Sequence, residues 1–200
     1  FPGTLSIYNL DASGDVTGLD RTIWFAPLGP ASDPTGLFDF PPIPVDVTFR
    51  GSTAHVVTLG RQNDPFLPGS SPDAYYQIPI DWAPPSAGLP PGWYFAPEPL
   101  QVGAYAFPFG PGGAEIVVPD TGSAWISNAG VLNDEIPSIP VPPFTSFLTV
   151  VSPNGSSLVG IGSGGESPVG MALSPDKSFV YVTNFSSDSL QVFDAATESP

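Results

Sequence analysis

The sequence predicts an all-β protein, and three features of its 200 residues support this fold class. Proline and glycine number 28 and 22, and proline at this density breaks helix interiors and removes backbone donors. Apolar residues make up 41% of the chain and aromatic residues 12%, which is enough to build a folded core. Apolar and polar residues alternate with a period of two in several segments, a pattern typical of half-buried strands.

This alternation predicts the strands in order along the chain. They cover residues 5–10, 44–49, 53–58, 113–118, 123–128, 145–152, 168–173, 178–184 and 189–194, and less regular strands are predicted at 21–27 and 156–162. Proline-rich stretches at 27–42 and 65–111 interrupt the series. We interpret them as insertions or as a local elaboration.

One pattern of two strands around a tight turn occurs three times. Residues 168–184 (PVGMALSPDKSFVYVTN) have a counterpart in residues 113–128 (GAEIVVPDTGSAWISN) and a more divergent one in residues 44–58 (PVDVTFRGSTAHVVT). Aligned on the second strand, His55, Trp125 and Tyr181 are equivalent. Further strands aligned on Ile7, Val150 and Val192 extend the unit, which predicts a four-stranded antiparallel meander.

The last unit resembles the YVTN family of β-propeller repeats, whose tetrapeptide stands at residues 181–184, and related propellers of the lactonase-like group share its SPD-x-x-x-VYV pattern. The resemblance implies a β-propeller of four-stranded antiparallel blades, with about three blades in this chain. It divides residues 1–200 into a blade remnant at 1–43, a blade at 44–112 with a proline and aromatic insertion, a blade at 113–167 and an incomplete blade at 168–200.

The number of strands predicts that other blades complete the propeller, because closed propellers have about four to eight blades. The missing blades would come from the same polypeptide, from a cleaved partner chain or from a homo-oligomer. We expect apolar residues on the outer faces of the terminal blades to need such a neighbour. The residues expected there are Ile7, Trp24, Val180 and Val192.

Charge and composition exclude several classes of partner and cofactor. Four basic residues against 19 acidic ones give a net charge of −15, which repels nucleic acid and anionic membrane surfaces. No apolar run is long enough for a membrane span. The absence of cysteine excludes disulfides and covalently attached c-type haem, and His55, the only histidine, cannot form a zinc site from this chain alone. The acidic, lysine-poor composition favours an extracellular, cell-surface or periplasmic protein.

Residues 9–20 (NLDASGDVTGLD) match the spacing of a twelve-residue calcium loop. Asn9, Asp11, Ser13 and Asp20 provide oxygen atoms at positions 1, 3, 5 and 12, and Thr17 stands at position 9. Gly14 stands at position 6, where such a loop turns sharply. The alternative is an acidic turn between two strands, in which Asp and Gly serve the turn geometry.

Two acidic residues occupy equivalent positions in the first strands of the repeats. Asp46 and Glu115 align with Gly170, and in a propeller these strands would line the central channel. One interpretation is a cation or polar ligand on the axis, where lactonase-like relatives have their active site. The other is that a water-filled channel tolerates polar side chains.

The aromatic residues at 93–109 form a third candidate site. Trp93, Tyr94 and Tyr105 lie among prolines, and rigid aromatic faces of this kind occur at binding surfaces. The alternative is a long loop held on the domain by its own aromatic side chains.

Two functions follow from these candidates. The first is a secreted or cell-surface propeller segment that acts as a binding or structural module and is stabilised by calcium. The second is part of a lactonase-like or dehydrogenase-like enzyme that uses Asp46 and Glu115 on the axis. The sequence has no recognisable catalytic set, such as a G-x-S-x-G motif, and therefore favours the module, but it identifies no ligand or substrate.

Overall fold

The structure, a computed structural model, describes residues 3–26, 43–59, 74–84, 88–102, 113–128 and 147–200. In these ranges it contains strands and no helix, which confirms the all-β prediction. None of the described residues therefore forms a helix that could cross a membrane. The strands are β1 (Thr4–Leu10), β2 (Val16–Trp24), β3 (Ile43–Arg50), β4 (Thr53–Leu59), β5 (Ala74–Pro79), β6 (Trp93–Phe95), β7 (Gln101–Val102), β8 (Gly113–Val117), β9 (Ala124–Asn128), β10 (Phe147–Val151), β11 (Leu158–Gly162), β12 (Pro168–Leu173), β13 (Phe179–Asn184) and β14 (Ser189–Asp194).

Four sheets follow one another along the chain. The first sheet has the order β1-β2-β6, the second β3-β4-β5-β7, the third β11-β10-β9-β8 and the fourth β12-β13-β14. All neighbouring strands are antiparallel except β2 and β6, which are parallel. Strand β6 follows β5 in sequence but pairs in the first sheet, so the second repeat supplies the outer edge of the sheet before it.

Strand pairing supports the predicted alignment of the repeats. Trp125 lies opposite Val150, and Tyr181 lies opposite Val192. The corresponding partner of His55 is Gln77 on β5. Each predicted strand overlaps an observed one, but β2 begins at Val16 and ends at Trp24, earlier than the predicted 21–27. Strands β5, β6 and β7 were not predicted and lie in the stretch interpreted as an insertion.

Each sheet packs face to face on the next and buries an apolar cluster between the two. Because strand residues alternate between faces, neighbours on one strand join different clusters: Val56 packs toward the first sheet and Val57 toward the third. The cluster between the first and second sheets contains Ile23, Phe25, Ala54, Val56, Ala74, Tyr76 and Ile78. The next contains Val57, Tyr75, Ile116, Val118, Ala124, Ile126 and Val151. The third contains Val117, Trp125, Leu148, Val150, Met171, Val180, Val182, Phe193 and Ala195.

The expected set of exposed apolar residues needs correction. Val180 is completely buried in the third cluster, and Ile7 packs against the first cluster. Trp24 is partly buried and lies against Phe95, with ring centroids 5.1 Å apart. Of the four residues expected on an open face, only Val192 is exposed. Packing between sheets covers Val180 and part of Ile7, whereas Trp24 is partly covered by Phe95 of its own sheet.

The first strands of the second, third and fourth sheets lie side by side. We call β3, β8 and β12 the leading strands: each is at an edge of its sheet, β3 contacts β8, and β8 contacts β12. Each leading strand has a register shift near its start, at Pro44/Asp46, Gly113/Ile116 and Pro168/Gly170. Such bulges change the direction of a side chain, and they occur beside the two predicted carboxylates.

Candidate functional site

The carboxylates of Asp46 and Glu115 each accept a hydrogen bond from the backbone of the next sheet. Asp46 Oδ2 accepts from the N–H of Ile116 at 2.8 Å, and Glu115 Oε2 accepts from the N–H of Met171. In both cases the donor is the residue that follows the equivalent position of the next repeat. We call this pair the inter-sheet bonds. They satisfy N–H groups at the free edges of leading strands, which backbone pairing within each sheet leaves open.

The position of Glu115 between the sheets changes the pKa of its carboxyl group. Burial raises the pKa of Glu115, the N–H of Met171 opposes this rise, and the negative charge of Asp46 adds to it. A nearby like charge disfavours ionisation, which is why Asp46 acts in the same direction as burial. Sequence analysis correctly aligned the two residues, and the structure identifies the backbone groups that they contact.

Hydroxyl groups on the neighbouring strands accept further hydrogen bonds from the backbone of the leading strands. The N–H of Glu115 donates to Ser127 Oγ at 3.1 Å, and the N–H of Gly170 donates to Thr183 Oγ1 at 3.1 Å. A β-carbon at Gly170 would lie 2.6 Å from Thr183 Oγ1 and 3.6 Å from Glu115 Oε2. The third leading strand therefore has close neighbours where the first two carry a carboxylate.

Side chains of β4 and β5 form a buried polar network that the sequence did not predict. His55 Nδ1 lies 2.7 Å from the Tyr75 hydroxyl, which accepts from Gln77 Nε2 at 2.9 Å. Gln77 Nε2 also donates to the carbonyl oxygen of Pro153 at 2.9 Å, so the network joins the second sheet to the third. Since the Tyr75 oxygen already accepts a hydrogen bond, we assign its proton to the bond with His55.

Burial controls the protonation of this network. It lowers the pKa of His55 to about 4, with a smaller contribution from the positive charge of Arg50. It also raises the pKa of Tyr75 to about 12, against a hydrogen bond from Gln77. Both groups are therefore neutral near pH 7, and His55 serves as a buried acceptor. The alignment with Trp125 and Tyr181 predicts a packing or inter-blade role for His55, and its partner Tyr75 lies on β5, which the sequence pattern does not predict.

The predicted calcium ligands lie on the β1–β2 hairpin. Asp11 and Ser13 are in its turn, whereas Asn9 and Asp20 are on its strands. Asp11 Oδ1 accepts from the N–H of Ser13 and the N–H of Asp15, each at 2.9 Å, and from Ser13 Oγ at 2.7 Å. The hydrogen bond from the Ser13 side chain, followed by those from the backbone, lowers the pKa of Asp11.

Asp20 has a different partner, because its carboxylate pairs with the guanidinium of Arg21. Across the described residues, no three His, Cys, Asp or Glu side chains are grouped to hold a metal ion. The predicted calcium loop would also use the side-chain oxygens of Asn9 and Ser13. Calcium binding at this hairpin stays a prediction.

Thermal melting tests the calcium prediction. Calcium bound at Asp11 should raise the melting midpoint relative to a chelator, because a ligand of the native state stabilises it by mass action. The Asp11→Asn variant should lose most of this increase, while Asp188→Asn, at an exposed aspartate in the β13–β14 turn, should retain it. An unchanged midpoint in millimolar calcium would contradict the site and leave an acidic turn.

The aromatic candidates belong to the edge of the first sheet. Trp93 and Tyr94 lie on β6 opposite Thr22 and Ile23, and both are partly buried. Tyr94 packs against the cluster between the first and second sheets. This is the geometry expected of a segment held by its aromatic side chains. Tyr105 lies outside the described residues.

Comparisons with known proteins give similarity of fold. No family model matches the chain, and no curated protein matches it. A chain of Kuenenia stuttgartiensis hydrazine synthase is similar over 94% of this chain and 46% of its own length, with a TM-score of 0.54 and 14% identity.

Two 6-phosphogluconolactonase-like structures are also similar to this chain. The Bacteroides uniformis protein gives a TM-score of 0.41 at 14% identity, covering 98% of this chain and 62% of its own. The Bacteroides fragilis protein gives 0.43 at 13% identity, covering 99% and 62%. The chain thus spans less than two thirds of each of the three similar structures.

Proposed function

We propose that this chain is a segment of a β-propeller and acts as a structural and binding module. The leading strands β3, β8 and β12 would face the propeller axis, and the four sheets would be successive blades. Support comes from the repeated four-stranded unit, from sheet packing in chain order, and from the fold similarity to the propeller-containing hydrazine synthase. The remaining blades would come from the same polypeptide, a partner chain or another copy.

The inter-sheet bonds carry the proposal for a structural role. A carboxylate that accepts a backbone N–H across a sheet boundary holds two sheets in register, and its charge makes the bond stronger than a neutral one. Asp46 and Glu115 do this at successive boundaries with the same relative geometry. A repeated bond of this kind is expected of a scaffold.

One observation favours the enzymatic alternative. Glu115 has a raised pKa and feels the charge of Asp46, a combination that also occurs in active sites. A lactonase-like or dehydrogenase-like centre on the axis would use these two carboxylates with groups from other blades. Location outside the cytoplasm and calcium at the β1–β2 hairpin belong to the first proposal, and the acidic, cysteine-free composition agrees with both.

Removal of Glu115 distinguishes the two functions. The Glu115→Ala variant should lose about 1–3 kcal/mol of unfolding free energy in urea, because the N–H of Met171 would remain without its acceptor. Asp46→Ala should behave similarly for Ile116. The control Glu166→Ala removes an exposed carboxylate and should change stability by no more than about 0.5 kcal/mol.

Hydrolysis of a γ- or δ-lactone by the unmodified protein provides the second measurement. Turnover that falls on Glu115→Gln, with stability close to that of the unmodified protein, would favour the enzyme. Loss of stability in both alanine variants, with no lactone turnover, is the result that the structural proposal predicts.

A further inference from the structure

The first sheet has an open edge beside an exposed apolar face of the second sheet. Among the described residues no strand pairs with the edge of β1 opposite to β2. Beside this edge, β3 exposes a row of apolar side chains on its surface. The row consists of Val47 and Phe49, whose cross-strand partners Val56 and Ala54 belong to the first cluster. Ile43 and Val45 are also exposed but lie before Asp46, on the other side of the register shift.

The corresponding face of the next leading strand is buried. In the alignment of Asp46 with Glu115, Val47 corresponds to Ile116 and Phe49 to Val118. Ile116 and Val118 are 1% and 2% exposed, whereas Val47 and Phe49 are 36% and 58% exposed. The difference arises because the two strands β3 and β4 cover β8, and no equivalent pair covers β3 in the described part of the chain.

The backbone hydrogen bonding of β3 also differs from that of β8 and β12. The N–H groups of Ile116 and Met171 donate to carboxylates of the preceding sheet. The N–H of Val47, the equivalent donor on β3, instead donates to Asp46 Oδ1, the carboxylate of its own neighbour, at 2.8 Å. This bond is solvent-exposed, so a carboxylate from outside can compete with Asp46 for the N–H of Val47.

Comparison with the later strands assigns β1 and β2 to positions in the four-stranded unit. Strands β1 and β2 precede β3 as β10 and β11 precede β12, and both pairs are antiparallel. Thus β1 and β2 correspond to the third and fourth strands of a unit, and none of the described strands corresponds to the first and second strands of that unit. A cleft of about 240 Å³ lies beside β1, and its lining includes Tyr8, Phe49 and Ile80.

We infer that this face binds a two-stranded antiparallel β-hairpin that pairs with the open edge of β1, covers Val47 and Phe49, and presents a carboxylate to the N–H of Val47. The inference rests on the internal repeat and holds for a structural or an enzymatic propeller alike. Backbone pairing with β1 would give affinity, as in other cases where a strand is added to a sheet edge. The apolar row and the carboxylate would set the register.

A synthetic peptide of residues 113–128 is the probe, because this segment is the hairpin that covers β12 and carries Glu115. Fluorescence anisotropy of the labelled peptide should show saturable binding to the protein. Phe49→Asp should weaken binding at least about tenfold by placing a charge under the hairpin. Phe185→Asp, which changes another exposed phenylalanine (70% exposed), is the matched control and should leave binding unchanged.

A second peptide tests the role of the carboxylate, and sedimentation tests whether the hairpin comes from a second copy of the protein. A peptide with Glu115→Ala should bind several-fold more weakly, since it lacks the carboxylate for Val47. Equal binding to the Phe49→Asp protein, or no saturable binding, would overturn the inference. Sedimentation of the protein alone should give a monomer; a dimer that dissociates on Phe49→Asp would assign the face to a second copy and would also overturn it.

Discussion

Replacement of Trp125 by alanine is expected to cost about 3–5 kcal/mol of unfolding free energy, the range found when a large buried aromatic residue is truncated. Trp125 is completely buried in the cluster between the third and fourth sheets. Its ring lies 5.7 Å from that of Phe193, centroid to centroid. The truncation would therefore leave a cavity where two sheets meet.

Trp125→Phe should cost no more than about half as much as Trp125→Ala. The indole N–H of Trp125 is buried and has no hydrogen-bond partner among the described residues, and phenylalanine removes this cost while it fills part of the space. Urea denaturation gives both values. Phe185→Ala, at an exposed aromatic residue, serves as control and should cost about 0.5 kcal/mol or less. A Trp125→Ala protein as stable as this control would contradict the observed packing.

Acidification from pH 6.5 to pH 4 should remove up to about 3 kcal/mol of stability through His55. The folded-state pKa of about 4 is below the unfolded value of 6.5, so the unfolded chain binds the proton first. The contribution of His55 is therefore complete above pH 6.5 and is lost as the pH falls through about 4. A protonated ring would also lose the hydrogen bond that Nδ1 accepts from Tyr75.

The His55→Gln variant isolates this effect, because glutamine accepts a hydrogen bond but does not titrate. Glu115 acts in the opposite direction: its raised pKa means that its contribution is present below the unfolded value of 4.5 and is lost as the pH rises through the folded pKa. Because only the unmodified protein loses the His55 contribution, its unfolding free energy should fall relative to that of His55→Gln as the pH drops from 6.5 to 4. A difference that stays constant over this range would contradict a buried, neutral His55.

The repeat made much of the fold predictable. Strands with clear alternation or with a counterpart elsewhere, such as β12 and β8, were identified from the sequence. Strand β5 was not, because Ala74, Tyr75, Tyr76 and Ile78 are all buried and the segment therefore lacks the apolar–polar alternation of a half-buried strand. Strands β6 and β7 have only three and two residues, and they depend on pairing with distant strands.

The candidate site was predictable in part. Alignment placed Asp46 and Glu115 at equivalent positions, but their partners are backbone N–H groups of the next sheet, which a side-chain pattern does not reveal. The same limit applies to His55: its partner Tyr75 is on the strand that the sequence pattern missed. Exposure of Val180 was predicted wrongly because Val180, like Val182, lies on the face of β13 that packs on the third sheet, whereas Phe179 is on the exposed face.

The exchange rate of the Met171 amide hydrogen, measured by NMR in the unmodified protein and in Glu115→Ala, tests the inter-sheet bonds most directly. We expect the Met171 amide to exchange faster in the variant, because its acceptor is gone. The Gly170 amide donates to Thr183 Oγ1 and should be accelerated no more than the overall loss of stability requires, so a larger increase at Met171 is a local effect. Equal Met171 rates in the two proteins would contradict a carboxylate bond between the third and fourth sheets.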